Sequence, residues 1–256
     1  MKYEEPLNPM KFGRAKGTAL LQKYLPKISP FTDIRLVEDI EQWEKIKDNY
    51  DEQTFFRPDS LIGDKIVRLD GSDGMLHSVP QMIEEMKQQN SRSALLLMKT
   101  KGKQIPRYED DGGFNVLFTL GQNVVIEFVG KGFDGRELTH GKAVHERYQI
   151  PWERILFFED KEDIIREREC GKYYVNQKDY EAHREERIHF LMKRCHYSRE
   201  MLEENIPCNF VPMSDEILQQ VLDDIILELY GQVNRLVSDG LTTFAVQGNI
   251  INGKLE

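Results

Sequence analysis

Residues 114–129 read FNVLFTLGQNVVIEFV, and residues 130–150 continue GKGFDGRELTHGKAVHERYQI. The first stretch is two apolar-rich arms joined at Gly121-Gln122-Asn123, the pattern of a β-hairpin. In its second arm, alternation sets Val125, Glu127 and Val129 on one face and Val124, Ile126 and Phe128 on the other. A carboxylate inside such a strand demands a cation, a hydrogen-bond donor or a solvent-facing side, because burying it unpaired is costly. Two readings of Glu127 therefore stand side by side, a polar outer face and a metal site. The glycine-rich loop beyond carries Lys131, Asp134, Arg136, Glu137 and Lys142. It has the backbone donors and charges that a magnesium-bound phosphate requires.

The rest of the composition limits the setting. A chain of 256 residues can bury a sizeable core as one large domain or two intimate lobes. No run reaches the length of a membrane span and MKYEEPLNPMKFG lacks an apolar signal segment, which predicts a soluble, cytoplasmic protein with no membrane partner. Cys170, Cys195 and Cys208 are odd in number and lack C-x-x-C spacing, so reduced thiols are expected rather than a disulfide framework or a zinc ribbon. With 44 acids against 35 bases, the net charge of −9 opposes diffuse attraction to nucleic acid, which is not the leading partner.

Working outward from the hairpin gives alternating helices and strands. A helix is predicted near Thr18 to Tyr24, a strand around Asp33 to Val37, and helical spacing at Ile40, Trp43 and Ile46. Ser78 is a good N-cap for a short helix burying Met82, Ile83 and Met86. SALLLMK (93–99) is too continuously apolar for a surface strand and belongs inside a sheet. RILFFED (154–160) reads as a strand, and 161–205 as charged and helical. From Ser214 a long helix gathers Ile217, Val221, Leu222, Ile225, Ile226 and Leu229 on one face. TTFAVQGNII then forms a strand, Asn252-Gly253 a type I′ turn, and KLE a returning arm so short that a trimmed chain and a brief last strand are both consistent with it.

Three segments supply phosphate chemistry. In FGRAKGTALL, Gly13 and Gly17 flank Lys16 just ahead of the predicted helix, so free N–H groups and a cation would converge. In FFRPDSLIGD, Arg57 offers a rigid fork for phosphate. The third is Glu127 with its loop. The plainer readings are a solvated helix-start charge for Lys16 and a salt bridge from Arg57 to Asp59 or Asp64. His140 and His145, in the glycine-rich loop, are candidates for phosphoryl acceptor or base. His189 and His196 lie seven apart on a helix, without the i, i+4 pairing of zincins, so a solvated helical face is expected there rather than a metal site.

In order and type these segments resemble the nucleotide-binding ATP-grasp domain of phosphoenolpyruvate synthase and pyruvate phosphate dikinase. Gly13-Arg14-Ala15-Lys16-Gly17 is similar to that family's opening lysine pattern, and Arg57-Pro58-Asp59-Ser60-Leu61-Ile62-Gly63-Asp64 to its R-S-S-A-x-x-E-D segment. Val116-Leu117-Phe118-Thr119, Val125-Ile126-Glu127 and Gly130 through Gly141 look like its strand, acidic strand and glycine loop. Ala245-Val246-Gln247-Gly248 resembles its D-I-E-W strand. The resemblance covers almost the whole chain. It implies an α+β, two-lobed nucleotide clamp with mixed or antiparallel sheets and a charged helical segment, its lobes about 1–105 and 106–256. ATP would lie between the lobes with Mg²⁺ at the phosphates. Lys16, Arg57, Arg136 and Lys142 would contact phosphate, Arg57 would serve catalysis by stabilising charge on the transferring group, and Glu127 would hold metal, with Gln247 at a second ligand position.

The departures matter equally. Ala245 and Gln247 stand where the family has acids, so one anionic metal ligand becomes a neutral amide. Nothing in the chain resembles the family's phosphohistidine domain or pyruvate-binding barrel. Two functions follow from the resemblance. One is an ATP-dependent phosphotransferase or ligase acting on an unknown acceptor; the other is a non-catalytic nucleotide-sensing or protein-interaction module with a degraded metal site.

Overall fold

The computed structural model of the chain describes residues 7–50, 54–67, 69, 79–100, 111–139, 143–152 and 173–255. Ser78 and the segment 154–160 lie outside them, as do His140 and Lys142. The fold is mixed α+β, and every strand pairing among the described residues is antiparallel. The chain divides into two compact units, Met1–Gln104 and Ile105–Glu256.

Unit 1 is built on a three-stranded sheet of order β1 (Phe31–Val37), β3 (Ala94–Thr100), β2 (Thr54–Asp59). The apolar run 94–98 forms its central strand and is buried on both sides. Leu95 and Leu97 join Trp43, Phe56, Met82, Ile83 and Met86 in one core, while Ala94, Leu96 and Met98 join Phe12, Ala15 and Leu36 in another. Helices α2 (Ile40–Glu44) and α3 (Val79–Gln89) supply the first core, and α1 (Gly13–Tyr24) supplies the second.

Helix α1 begins ahead of the predicted Thr18, and the reason lies outside the helix. Asp59, at the end of β2 and 4% exposed, accepts hydrogen bonds from the N–H groups of Arg14 (3.1 Å), Ala15 (2.7 Å) and Ser60 (2.9 Å). Arg14 Nη1 in turn donates to the carbonyl of Pro58. A carboxylate from a distant strand thus does what an N-cap residue does locally, satisfying donors at the positive end of the helix.

Unit 2 carries a six-stranded sheet. Its order is β7 (Tyr173–Tyr174), β6 (Glu146–Ile150), β5 (Val124–Val129), β4 (Gly112–Thr119), β8 (Thr243–Ile251), β9 (Lys254–Leu255). The predicted hairpin is β4–β5. Strand β6, expected as loop, hydrogen-bonds along β5, with Tyr148 opposite Ile126 and Arg147 opposite Glu127. The Asn252-Gly253 turn has φ of 52° and 69°, the left-handed pair that a type I′ hairpin requires. One face of the sheet buries Phe114, Val116, Phe118, Val124, Ile126, Phe128, Phe244 and Val246. It meets the C-terminal helices, where Phe118 packs on Trp152 and Trp152 on Tyr230, each with ring centroids 5.2 Å apart.

The helix from Ser214 keeps one apolar face through a change of winding. Ser214 caps α7 (Asp215–Val221), a π-helical stretch Leu222–Leu227 follows, and α8 (Glu228–Gly231) completes it before α9 (Val233–Ser238). Its buried residues repeat every fourth position, Ile217, Val221, Ile225, Leu229 and Leu218, Leu222, Ile226. In an ideal α-helix each such step overshoots one turn by about 40°. The wider π turn takes up that overshoot, and the stripe runs straight along the helix.

On the other side of the loop after β5, α5 (Gln177–Cys195) and α6 (Arg199–Asn205) form a separate core with Val129, Phe133, Leu138 and Ala143. The sequence predicts a charged helix here, with a solvated face at His189 and His196. Two of its arginines are instead buried, Arg184 donating to the carbonyls of Ile206 and Glu203, and Arg187 to that of Gly132. A short helix, α4 (Gly135–Thr139), lies against the sheet beside Gly113, where an added Cβ would come within 2.3 Å of the Gly135 nitrogen.

Asp59→Ala should destabilise unit 1 by about 2–3 kcal/mol in urea unfolding, because it leaves buried helix donors unsatisfied. Gly17→Ala, inside α1 with nothing near its added Cβ, should stabilise by about 0.5–1 kcal/mol in the same measurement.

Candidate functional site

The open face of the unit 2 sheet carries a row of polar side chains at a single level. Register places Gln247 on β8, Asn115 on β4, Glu127 on β5, Arg147 on β6 and Tyr173 on β7 directly opposite one another in turn. Directly opposed residues share a face of the sheet. The next level, Ala245, Leu117, Val125 and Gln149, is largely apolar, and Leu117 is 39% exposed. At the opposite edge of the row α4 covers Gly113, and Asn249 Oδ1 accepts from the Gly135 N–H at 3.1 Å.

Glu127 is satisfied within this row. Its Oε1 accepts from Arg147 Nε (2.9 Å) and Nη2 (2.7 Å), and its Oε2 accepts from Asn115 Nδ2 (3.1 Å). The Glu127 side chain is 14% exposed and that of Arg147 42%, so the carboxylate is sheltered while the guanidinium reaches water. The donor demanded by the sequence is a guanidinium from the neighbouring strand.

The expected magnesium site at Glu127 and Gln247 does not fit this arrangement. Two strand spacings, about 10 Å, separate their backbones, and Asn115 stands between them. Magnesium holds its oxygens at about 2.1 Å, so a shared ion would require Glu127 to abandon Arg147 and Asn115 to move aside. Among the described residues, no group of three or more His, Cys, Asp or Glu could hold a metal ion.

The phosphate candidates of unit 1 lie on one side of its sheet. Arg57 is exposed on β2, and alternation places it on the α1 side with Phe55 and Asp59. Lys16 is half-buried in α1. The helix N-terminus itself is occupied by the Asp59 carboxylate, so the converging free donors expected around Gly13 and Gly17 are already in use. Asp64 pairs with Arg92 at 3.6 Å.

In unit 2 the described part of the glycine loop, residues 130–139, is built into the fold. Glu137 Oε2 accepts from the Asp134 N–H at 3.1 Å, the back-reach of a capping box, and Glu137 Oε1 pairs with Arg187 Nη1 at 2.7 Å. Arg187 Nη2 stands 3.5 Å from Asp134 Oδ2. Burial, partly opposed by Arg187 and reinforced by Asp134, pushes the Glu137 pKa up to about 7. Arg136 lies in α4, and its side chain is outside the described residues.

His145, expected as a loop base or phosphoryl acceptor, occupies a core position at the start of β6 with no exposed surface. Its Nδ1 accepts from the Gly130 N–H at 3.0 Å, and the rings of Phe133, Tyr180 and Phe210 surround it at 4.5, 5.0 and 5.8 Å. Burial, with the charge of His183, pushes its pKa down to about 3. With Nδ1 accepting, the neutral ring carries its proton on Nε2, which has no hydrogen-bond partner, and neither does the nearby His183 Nδ1. A metal at Nε2 requires that proton removed, so these imidazoles do not form a ligand pair as they stand. His189 is exposed on α5, and His196 closes that helix in the left-handed conformation at φ 59°, so the two share no helical face.

Arg147, Asn115 and Tyr173 were missed as site residues. The signal was present: in 146–150, ERYQI, buried Tyr148 and Ile150 alternate with the more exposed Arg147 and Gln149, a strand period hidden behind the glycine-rich loop. Among the described residues no helix is long and apolar enough to cross a membrane. No family model, curated protein or solved structure matches the chain.

Glu137 keeps its proton in the folded chain to about pH 7, above its ordinary 4.5. Its contribution to stability is therefore fully present below about 4.5 and lost as pH rises through 7. Urea midpoints measured from pH 5 to pH 8 should fall for the wild type and show a shallower slope for Glu137→Gln.

Proposed function

We propose that the chain is an ATP-grasp-like nucleotide-binding module that holds ATP and does not transfer its phosphoryl group. The observation that carries the non-catalytic half of this reading is the commitment of Glu127 to Arg147 and Asn115, with a neutral amide at Gln247. Phosphoryl transfer depends on metal ions that bridge phosphate oxygens and neutralise developing charge. The carboxylates needed to hold them are not offered by this row.

The nucleotide half rests on the ordered resemblance of the segments and on the mixed α+β build of the chain around antiparallel sheets. Lys16 and Arg57 are the phosphate contacts that the resemblance implies. The polar row of unit 2 presents a guanidinium and amides beside an apolar level, a surface suited to a ligand with both oxyanions and a flat ring. The competing enzyme reading, an ATP-dependent phosphotransferase or ligase, draws on the same two cations and requires a magnesium site elsewhere.

Calorimetry with ATP should show saturable binding, accompanied by a rise in unfolding temperature with nucleotide concentration. Arg57→Ala should weaken that binding by about tenfold, the loss of one charged phosphate contact. Phosphate release over hours should stay at the buffer rate. Sustained magnesium-dependent release would replace this reading with the enzyme, and absence of binding at millimolar ATP would remove nucleotide from the account.

A further inference from the structure

We propose that the open face of the unit 2 sheet is a magnesium-independent site for the phosphates of a nucleotide, with Arg147 as the residue that touches phosphate and Glu127 as the residue that positions it. This inference rests on the nucleotide reading above and adds, to the Lys16 and Arg57 contacts of unit 1, a phosphate site of unit 2's own.

The geometry separates two roles that the sequence had merged in Glu127. Both oxygens of the carboxylate already accept hydrogen bonds, Oε1 two from Arg147 and Oε2 one from Asn115. Glu127 therefore has little left to offer a cation. The guanidinium is in the complementary state, since Nε and one N–H of Nη2 are held by Glu127 while its other donors remain beyond the pair. Its side chain is 42% exposed against 14% for its partner. A planar fork fixed along one edge and wet along the other is prepared to receive an oxyanion with little further ordering.

The surroundings favour a nucleotide over a bare inorganic anion. Tyr173, 45% exposed, lies directly opposite Arg147 in register. One level along the strands, about 7 Å away, are Leu117, Val125 and Ala245, with Leu117 39% exposed. An aromatic ring and an apolar level beside a guanidinium match a ligand that joins phosphate to a flat base. The chain as a whole carries a charge of −9 and Glu127 offsets the charge of Arg147, so an anion here is held by the outward guanidinium donors and not by the general field.

The test is calorimetric titration of the full chain with ATP, and separately with inorganic pyrophosphate, in excess EDTA and in excess magnesium. Wild type, Arg147→Ala, Arg147→Lys and Glu127→Gln are compared, and circular dichroism checks that each variant is folded. The expected result is ATP affinity within about threefold with and without magnesium. Arg147→Ala should lose at least about tenfold in both conditions, and Arg147→Lys should fail to restore it because a point charge lacks the fork. Glu127→Gln should weaken binding by a smaller factor without introducing a magnesium requirement. Binding of ATP that Arg147→Ala and Arg147→Lys leave unchanged overturns this inference alone. Binding that vanishes in EDTA and in Glu127→Gln makes Glu127 a metal ligand and overturns it too. Binding of pyrophosphate through Arg147 without binding of ATP keeps the phosphate contact and defeats the nucleotide reading, while binding of neither defeats both.

Discussion

A carboxylate set in the middle of a sheet has to find its hydrogen-bond donors among its neighbours, and that requirement organises unit 2. Glu127 takes one donor from the strand on one side, Asn115, and a guanidinium from the strand on the other, Arg147. The pairing ties β4, β5 and β6 at one level of the sheet and fixes which of their faces is polar. A one-residue slip of β6 would turn Arg147 toward the core and Tyr148 out of it, leaving the carboxylate sheltered and unpaired. The ion pair therefore contributes to register as well as to stability. Its partial exposure keeps its net worth modest, while the cost of breaking it falls on the sheltered partner.

Other charges buried among the described residues are likewise held by partners from distant segments. Asp59 is held by backbone N–H groups of a helix start, Arg184 by backbone carbonyls, Arg187 by the Gly132 carbonyl and the Glu137 carboxylate, and Glu146 by the N–H of Met213. Each is a link between segments distant in sequence. The polar groups that first suggest catalysis are in several cases fasteners between segments.

This also explains what could and could not be read from the sequence. The β4–β5 hairpin, the inner strand 94–100, the helix from Ser214 and the Asn252-Gly253 turn all announce themselves through local period or turn chemistry, and the structure has them in place. The true start of α1, the role of Glu127 and the burial of Arg187 depend on partners far along the chain. Asp59 is 44 residues from Ala15, Arg147 20 from Glu127, and Arg187 50 from Glu137. No window of local pattern contains those distances. His145 failed for a related reason, since a histidine among glycines reads as exposed until the aromatic rings of α5 and the following loop close over it.

The π-helical stretch Leu222–Leu227 has a mechanical meaning. Because the apolar stripe runs straight only while that wider winding is kept, the rod from Ser214 to Gly231 is keyed to the sheet like a shaft in a slotted bearing. Rotation or sliding by one residue would lift Ile225, Ile226 and Leu229 out of their seats together. The rod is thus a poor piston and a good reference frame for the sheet it packs on.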